Sequence, residues 1–479
     1  MKHLLLLLTI LLSTPLVAQT PCSNGMAGPY PCEGLDLQSF ISLSDMNAER
    51  GNDSWGWTDP QSGKEYALMG LNNGTAFIDI SNPTNPIYLG KLPTTNDFLD
   101  GGQIWRDIKV YQNHAFIVSE IQNHGMQVFD LTRLRNVTNP PQTFNEDAIY
   151  NGFGRCHNII INEETGFAYA AGTSSFSGGP YFINIQNPTN PIAAGGFSFD
   201  NYSHDAQVVI YNGPDTEHVG KEIYFGCHGD SFADDDLVSI VDVSNKNNPI
   251  SLSTAMYDNL GYTHQGWLTE DQRYFIVGDE TDEIGIGFNT KTIVLDVSDL
   301  DNPVVSFEYS GTTSAIDHNG YVNEDKYYLS NYTAGLRVLD ITSIENETMT
   351  EVAFFDTFPE SNEASGGGAW SVYPYFTSNN IVISDITRGF FLVRDPSLSS
   401  QTIVQNNFEI SPNPAKDKIT IKALNAPLRS LEIFNILGQR IMQKNFSSTS
   451  VENIDISALH SGMYLLKINE DNTKRLIVK

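Results

Sequence analysis

Cysteine and positive charge are both scarce in this chain. Four cysteines in 479 residues are too few for a disulfide framework, so the fold must rest on burial and hydrogen bonding. Lys and Arg number 27 against 57 Asp and Glu, a formal net charge of −30. That imbalance argues against nucleic acid as a partner, because phosphate contacts need clustered Lys and Arg. An acidic excess of this kind reads first as a solvated surface and second as a means of collecting divalent cations. Helical periodicity is nearly absent. No G-x-S-x-G, H-E-x-x-H, P-loop or Rossmann fingerprint occurs. Beyond the N-terminus, no run is long and apolar enough to predict a membrane-spanning helix.

The N-terminus carries the one long apolar run. "MKHLLLLLTILLSTPLVAQT" has a short basic start, a stretch of leucines and small residues near Ala18. It predicts a secretory signal peptide over 1–19, followed by an extension over 20–34. Cys22 and Cys32 bracket a Gly/Pro-rich segment there and are expected to pair in an oxidising compartment. Cys156 and Cys227 would pair only if neighbouring repeats bring them together. A reactive free thiol is a poor candidate for chemistry in an exported chain.

The body of the chain repeats itself. "AFIDISNPTNPIYL", "YFINIQNPTNPIAA", "SIVDVSNKNNPISL" and "TIVLDVSDLDNPVV" share an apolar run, an Asp or Asn, and then an Asn-Pro. The motif places Asp79, Asp130, Asn184, Asp242, Asp296 and Asp340 in register, with a degenerate copy at Asp395. A period of roughly 50 residues suits four short strands per unit. Units fall at about 54–95, 104–150, 154–200, 203–258, 262–310, 315–359 and 367–396. In each, runs of β-branched and aromatic residues are separated by Gly, Asn, Asp and Pro, which is strand and turn chemistry. The Asp would bond backbone amides as the chain turns, and the proline would open the outer strand, where a missing N–H costs least. The last unit lacks a fourth strand, but "LDLQSFISLSD" at 35–45 resembles one. The expected fold is all-β: a seven-bladed β-propeller over 35–396, closed by that N-terminal strand. A linker at 397–407 and a small C-terminal β-sandwich over 408–479 follow.

The candidate site recurs with the repeat. Each first strand opens on a polar pair: Arg106 and Asp107, His157 and Asn158, His204 and Asp205, His264 and Gln265, His318 and Asn319. First strands line a propeller's channel, so these pairs should ring one mouth. His157, His204, Asp205, His264 and His318, with Asp317 as a further carboxylate, would suit a divalent metal such as zinc or calcium, or acid–base work near neutral pH. Equivalent positions must also solve one packing problem between blades, so the repetition favours a structural hydrogen-bonding role for the same residues. All five tryptophans, Trp55, Trp57, Trp105, Trp267 and Trp370, lie in or just before first strands. They would form either inter-blade core or, with Trp267 and Trp370 foremost, a ligand-stacking floor. Two acidic loops, one with Asp230, Asp234, Asp235 and Asp236 and one with Asp279, Asp282 and Glu283, offer oxygen ligands without the spacing of an EF-hand.

Two resemblances emerge from these residues. "VSIVDVSNKNNP" and "TIVLDVSDLDNP" resemble LVIVD repeats. With "WGWTDPQSGKEYALMGLNNGTAFIDIS", "HGMQVFDL" and "YTHQGWLTEDQRYFIVGDE", the stretch 35–395 resembles the choice-of-anchor B family, whose name implies no activity. "SPNPAKDKITI", "LEIFNILGQRI", "SGMYLLKI" and "KRLIVK" resemble a type A sorting domain of the type IX secretion system. That resemblance implies export by signal peptide, outer-membrane translocation through contact with the translocon and sortase machinery, and release or surface attachment. The expectation is a secreted or cell-surface binding module for a glycan or protein ligand. The alternative is a metal-dependent hydrolase or lactonase-like enzyme at the channel.

Overall fold

A computed structural model describes residues 19–95, 105–198, 202–229, 237–396, 408–423, 427–435, 440–459, 462–469 and 472–478. The expected signal peptide (save Gln19), the linker 397–407 and the acidic residues Asp230, Asp234, Asp235 and Asp236 lie outside the described residues. The chain divides into two compact units, with the break between 397 and 398.

In the first unit the described residues form seven sheets, antiparallel except where Gln142–Thr143 pairs parallel with Ile87–Pro93. Their leading strands are Gly51–Thr58, Arg106–Tyr111, Asn158–Asn162, Asp205–Ile210, Thr263–Leu268, Gly320–Asn323 and Ala369–Tyr373. Each touches the next, and Ala369–Tyr373 touches Gly51–Thr58. The leading strands therefore close a ring around a channel, and the sheets radiate from it as blades. In the blade that begins with Thr263–Leu268, strands Tyr274–Asp279, Lys291–Asp296 and Val304–Ser310 follow in antiparallel order. Tyr274–Asp279 is buried throughout, whereas Val304 on the outer strand is 59% exposed. Burial on both faces explains why the second and third strands read as unbroken apolar runs.

The repeated Asp makes the bond its spacing implies. Oδ1 of Asp79, Asp130, Asn184, Asp242, Asp296 and Asp340 each accepts the backbone N–H two residues on, at 2.9–3.0 Å. These Asx turns end the third strand. Pro86, Pro191, Pro249 and Pro303 stand immediately before the fourth strands that start at Ile87, Ile192, Ile250 and Val304. One feature is invisible in the sequence. In five blades the register between third and fourth strands slips at the same place, as at Ile240/Val241 and Val294/Leu295. Such bulges sharpen the twist of the outer strand.

Asp36–Ser42 pairs antiparallel with Gly389–Arg394 and supplies the outer strand of the last sheet. This covers an edge that would otherwise be open to pairing with another chain. Tyr30–Glu33 adds to the preceding sheet through Thr350–Phe355, and a Cys22–Cys32 disulfide ties the extension together. Cys156 and Cys227 are free and buried in separate clusters of the core. Phe391 joins the N-terminal segment to two blades, with its ring 5.1 Å from Tyr30 and 6.1 Å from Phe355.

The second unit is a β-sandwich. Phe408–Ser411, Lys418–Ala423 and Val451–Asp455 form one sheet; Leu428–Asn435, Arg440–Thr449, Gly462–Ile468 and Asn472–Val478 form the other. Their inner faces share a core that includes Ile421, Leu431, Ile433, Leu466 and Leu476. Among the described residues, no helix is long and apolar enough to cross a membrane.

Replacing Phe391 with Ala removes a fully buried ring at the point of closure. The expected cost is about 3–5 kcal/mol, to be measured as a fall in the urea midpoint of the first unit. An unchanged midpoint would show that closure does not depend on this contact.

Candidate functional site

Residues just before or at the start of the leading strands line one cavity and residues further along them line mostly another, because the strands run the length of the channel. At the N-terminal ends lies a cavity of about 450 Å³, lined by His157, His204, His264, His318, Trp370 and Trp105 together with Glu120, Glu280 and Tyr332. The rings follow one another around the channel. Centroids are 4.1 Å apart for His157–His204, 4.2 Å for both His204–His264 and His264–His318, 4.3 Å for His318–Trp370 and 4.5 Å for Trp370–Trp105.

Three of the four imidazoles are oriented by what their Nδ1 meets. His204 Nδ1 lies 2.9 Å from the His264 carbonyl, and His318 Nδ1 lies 2.6 Å from the Trp370 carbonyl. A carbonyl only accepts, so Nδ1 carries the proton, and Nε2 keeps its lone pair in the neutral ring. His264 Nδ1 is buried without a hydrogen bond of good geometry, although the His318 main chain lies close enough to favour its protonation. Burial, reinforced by neighbouring imidazoles, pushes His204 and His264 well below the usual histidine range and His318 down to about 3. All three are neutral near pH 7. His157 differs: burial disfavours its charge, but a 2.6 Å hydrogen bond to Glu120 and that carboxylate's charge outweigh burial and raise its pKa. Glu120 is correspondingly lowered, its contact with His157 overcoming burial. Across the mouth, Glu280 accepts a hydrogen bond from the Tyr332 hydroxyl at 2.7 Å. It stands 3.7 Å from His264 Nε2 and 3.9 Å from His318 Nε2.

Toward the C-terminal ends of the strands lies a second cavity of about 360 Å³. Trp55, Trp267, Tyr321, Tyr373 and Tyr375 form its aromatic wall, and Lys109, Asp205, Glu163 and Glu270 supply charge. Trp55 meets Tyr373 edge-on at 5.2 Å, and Trp267 meets Tyr321 at 5.0 Å. The Lys109 ammonium sits 4.6 Å over Trp55 and pairs with Asp107 at 2.6 Å and Asp53 at 3.3 Å. Burial opposes that ammonium, but the charges of Asp107, Asp53 and Asp205 hold its pKa above the usual lysine value. Burial and the charge of Asp107 push Asp205 up to about 7. Gly56 leaves room for this wall, since a Cβ there would stand 2.1 Å from the Tyr373 ring.

The sequence-derived ring is thus split. The structure brings His157, His204, His264, His318 and Trp370 together, but five other candidates do not join them. Asp205 and Trp267 line the opposite cavity, because each sits at a position whose side chain the alternation sends the other way. Asp317 is fully buried behind the mouth, held by Thr292 at 3.3 Å. Arg106 turns between blades, where its Nε donates to the Leu71 carbonyl at 2.6 Å; Trp105, one residue earlier, takes its place in the stack. Asp107 lies beside Lys109 and accepts the backbone N–H of Ile159 at 2.7 Å, so its role is to join blades. Of the other tryptophans, Trp57 is core, stacked on Tyr66. Asp279 of the second acidic loop accepts the amides of Gly261 and Tyr262, and Asp282 faces the Lys291 ammonium at 2.9 Å, whereas both Asp282 oxygens and Glu283 Oε2 are buried without a hydrogen bond. The sequence reading missed Glu120 and Glu280. Both follow the end of a second strand, in "FIVSE" and "FIVGDE", and that shared place in the repeat was the available signal.

Arg106 has a consequence for acid stability. Burial first, and then the guanidinium of Arg106, push the nearby His124 down to about 3. Its folded pKa lies below the unfolded value, so the unfolded chain takes up the extra proton and stability is lost as pH falls from about 6.5 toward 3. Asn at this position keeps a donor where Nδ1 meets the Gly125 carbonyl but does not titrate. His124→Asn should flatten the pH dependence of the unfolding free energy between pH 6 and 4 by about 1.4 kcal/mol per pH unit. An identical slope in both proteins would show that His124 is not held neutral.

Comparison with known families matches a segment of each unit. Residues 62–94 match the LVIVD repeat, and residues 409–479 match the secretion system C-terminal sorting domain. An endo-acting ulvan lyase of Formosa agariphila is 26% identical over 91 residues, which is 18% of this chain and 18% of the lyase. Among solved structures, hydrazine synthase of Kuenenia stuttgartiensis is similar with a TM-score of 0.48 and 11% identity, covering 71% of this chain and 94% of its own. The C-terminal WD40 domain of Sif2 is similar with a TM-score of 0.44 and 8% identity, covering 75% and 98%. The chain is an all-β, LVIVD-repeat propeller protein that ends in a secretion system C-terminal sorting domain, and so is exported to the cell surface or extracellular space.

Proposed function

We propose that this protein is an extracellular binding module that takes a saccharide in the cavity at the C-terminal ends of its leading strands. The observation that carries this reading is the wall of Trp55, Trp267, Tyr321, Tyr373 and Tyr375 around about 360 Å³, with carboxylates, an ammonium and amides at its margin. Aromatic faces accept the C–H faces of a pyranose, while charged and amide groups bond its hydroxyls. The shape is preformed: Tyr375 is anchored to the Val322 carbonyl at 3.0 Å, and Gln265 is tied to the Gly320 amide at 3.0 Å. A rigid wall of this kind loses little conformational entropy on binding. The likeness to an ulvan lyase spans 18% of each chain and brings no substrate with it. The acidic body also favours neutral or basic ligands over polyanions.

The route to the surface is part of the same reading. Residues 1–19 act as the signal peptide, 397–407 as the linker, and 408–479 as the handle for the type IX translocon and sortase. Deleting 408–479 should trap the protein in the periplasm, as read by fractionation; normal appearance of the truncated form outside the cell would refute the handle.

For the binding site, the purified protein is screened against soluble polysaccharides and surface lipopolysaccharide by intrinsic tryptophan fluorescence. The expected result is a saturable shift with one class of glycan, weakened roughly tenfold in Trp267→Ala. No shift with any glycan, or equal affinity in the variant, would sink the proposal.

A further inference from the structure

The imidazole mouth lies at the opposite end of the channel from the saccharide cavity and stands independently of that reading. From its geometry we infer that His264, Glu280 and His318 form a binding site for a divalent transition-metal ion of the zinc class, with one coordination position left open to the channel. A ring nitrogen of each histidine and a carboxylate oxygen of Glu280 all lie within 4.8 Å of one another. Two ligands about 2.0–2.1 Å from a tetrahedral ion stand about 3.3 Å apart. Glu280 turns one oxygen to each ring, Oε2 at 3.7 Å from His264 Nε2 and Oε1 at 3.9 Å from His318 Nε2, so the three groups draw together to reach that spacing.

Three further features fit an ion rather than a purely structural cluster. The Nδ1 of His318 is committed to the Trp370 carbonyl, the outer-sphere bond that holds a metal-binding imidazole in place and directs Nε2 inward. Tyr332 bonds Glu280 and fixes its rotamer in the same way. The imidazoles are only 3% exposed, while Glu280, at 24%, opens the site to solvent. Two nitrogens and one carboxylate suit zinc-class ions better than calcium, which takes six or more oxygens. Three protein ligands rather than four leave a position for water or an exogenous donor, and the cavity of about 450 Å³ gives that donor room. A second carboxylate–histidine group at Asp215, His218 and Asp301 is unlike it. There the Lys221 ammonium lies 3.0 Å from His218 Nδ1, and Asp215 already accepts the Leu300 amide.

The test uses the full protein, stripped of metal and free of any affinity tag. Zn²⁺ is titrated calorimetrically, and Co²⁺ serves as a visible-absorption probe of coordination. The expected result is one ion per chain and the intense visible bands of four-coordinate cobalt. Glu280→Gln keeps an acceptor for Tyr332 but removes the charge, and should weaken Zn²⁺ at least 100-fold while leaving the metal-free melting temperature unchanged. Asp301→Asn should leave affinity unchanged. Absence of stoichiometric binding, octahedral cobalt spectra, or equal affinity in Glu280→Gln would each overturn the inference. Because the saccharide cavity shares none of the three ligands, loss of metal with intact glycan binding, or the reverse, separates the two proposals.

Discussion

Leading strands around a channel cannot pair with one another as strands do within a blade, so side chains must satisfy and align the backbone between blades. Everything at the centre of this protein follows from that constraint. Asp107 accepts the amide of Ile159, Asn158 donates to the His204 carbonyl, and His204 reaches the His264 carbonyl. Gln207 accepts the amide of Leu268, Gln265 that of Gly320, and His318 reaches the Trp370 carbonyl. Each bond spans one blade to the next, so together they set the spacing of the ring.

This requirement explains why the polar pair repeats, and it also shows that a structural role and a functional one need not compete. An imidazole has two nitrogens. Nδ1 carries out the inter-blade task, and that commitment fixes the tautomer and leaves Nε2 as a lone-pair donor in a sheltered mouth. The same packing removes water, which keeps these rings neutral where exposed histidines would titrate. His157 and His264 depart from this: Glu120 reaches the His157 Nδ1 directly, making a charged pair instead of a bond to a carbonyl, and the His264 Nδ1 is buried without a hydrogen bond.

The two ends of the channel are chemically different because the leading strands carry different residues at their two ends. Imidazole and indole begin them; Tyr321, Tyr373 and Trp267 come later, with Lys109 and its carboxylates between. An acidic protein thus holds a buried ammonium beside Trp55, balanced by Asp53 and Asp107. Breaking that balance by removing one partner would leave an uncompensated charge, which costs more than the pair itself contributes.

Much of the architecture was legible because it depends on local chemistry. The Asx turn at Asp79 and its equivalents, the proline before each outer strand, the N-terminal strand at 36–42 and the separate tail are all written in short segments whose behaviour needs no distant partner. The site was legible only in part. That four histidines would meet followed from the repeat; which neighbours would join them did not. Adjacent positions on a strand point to opposite sides, so Asp205 left the histidine mouth and Trp105 displaced Arg106. The carboxylates that do face the imidazoles, Glu120 and Glu280, come from the ends of second strands and arrive only when each blade folds back on itself. Sequence alone determined the repeat, its turns and its export tail, since these are properties of consecutive residues. The tertiary structure decided the composition of each channel mouth, because that depends on side-chain direction around a closed ring.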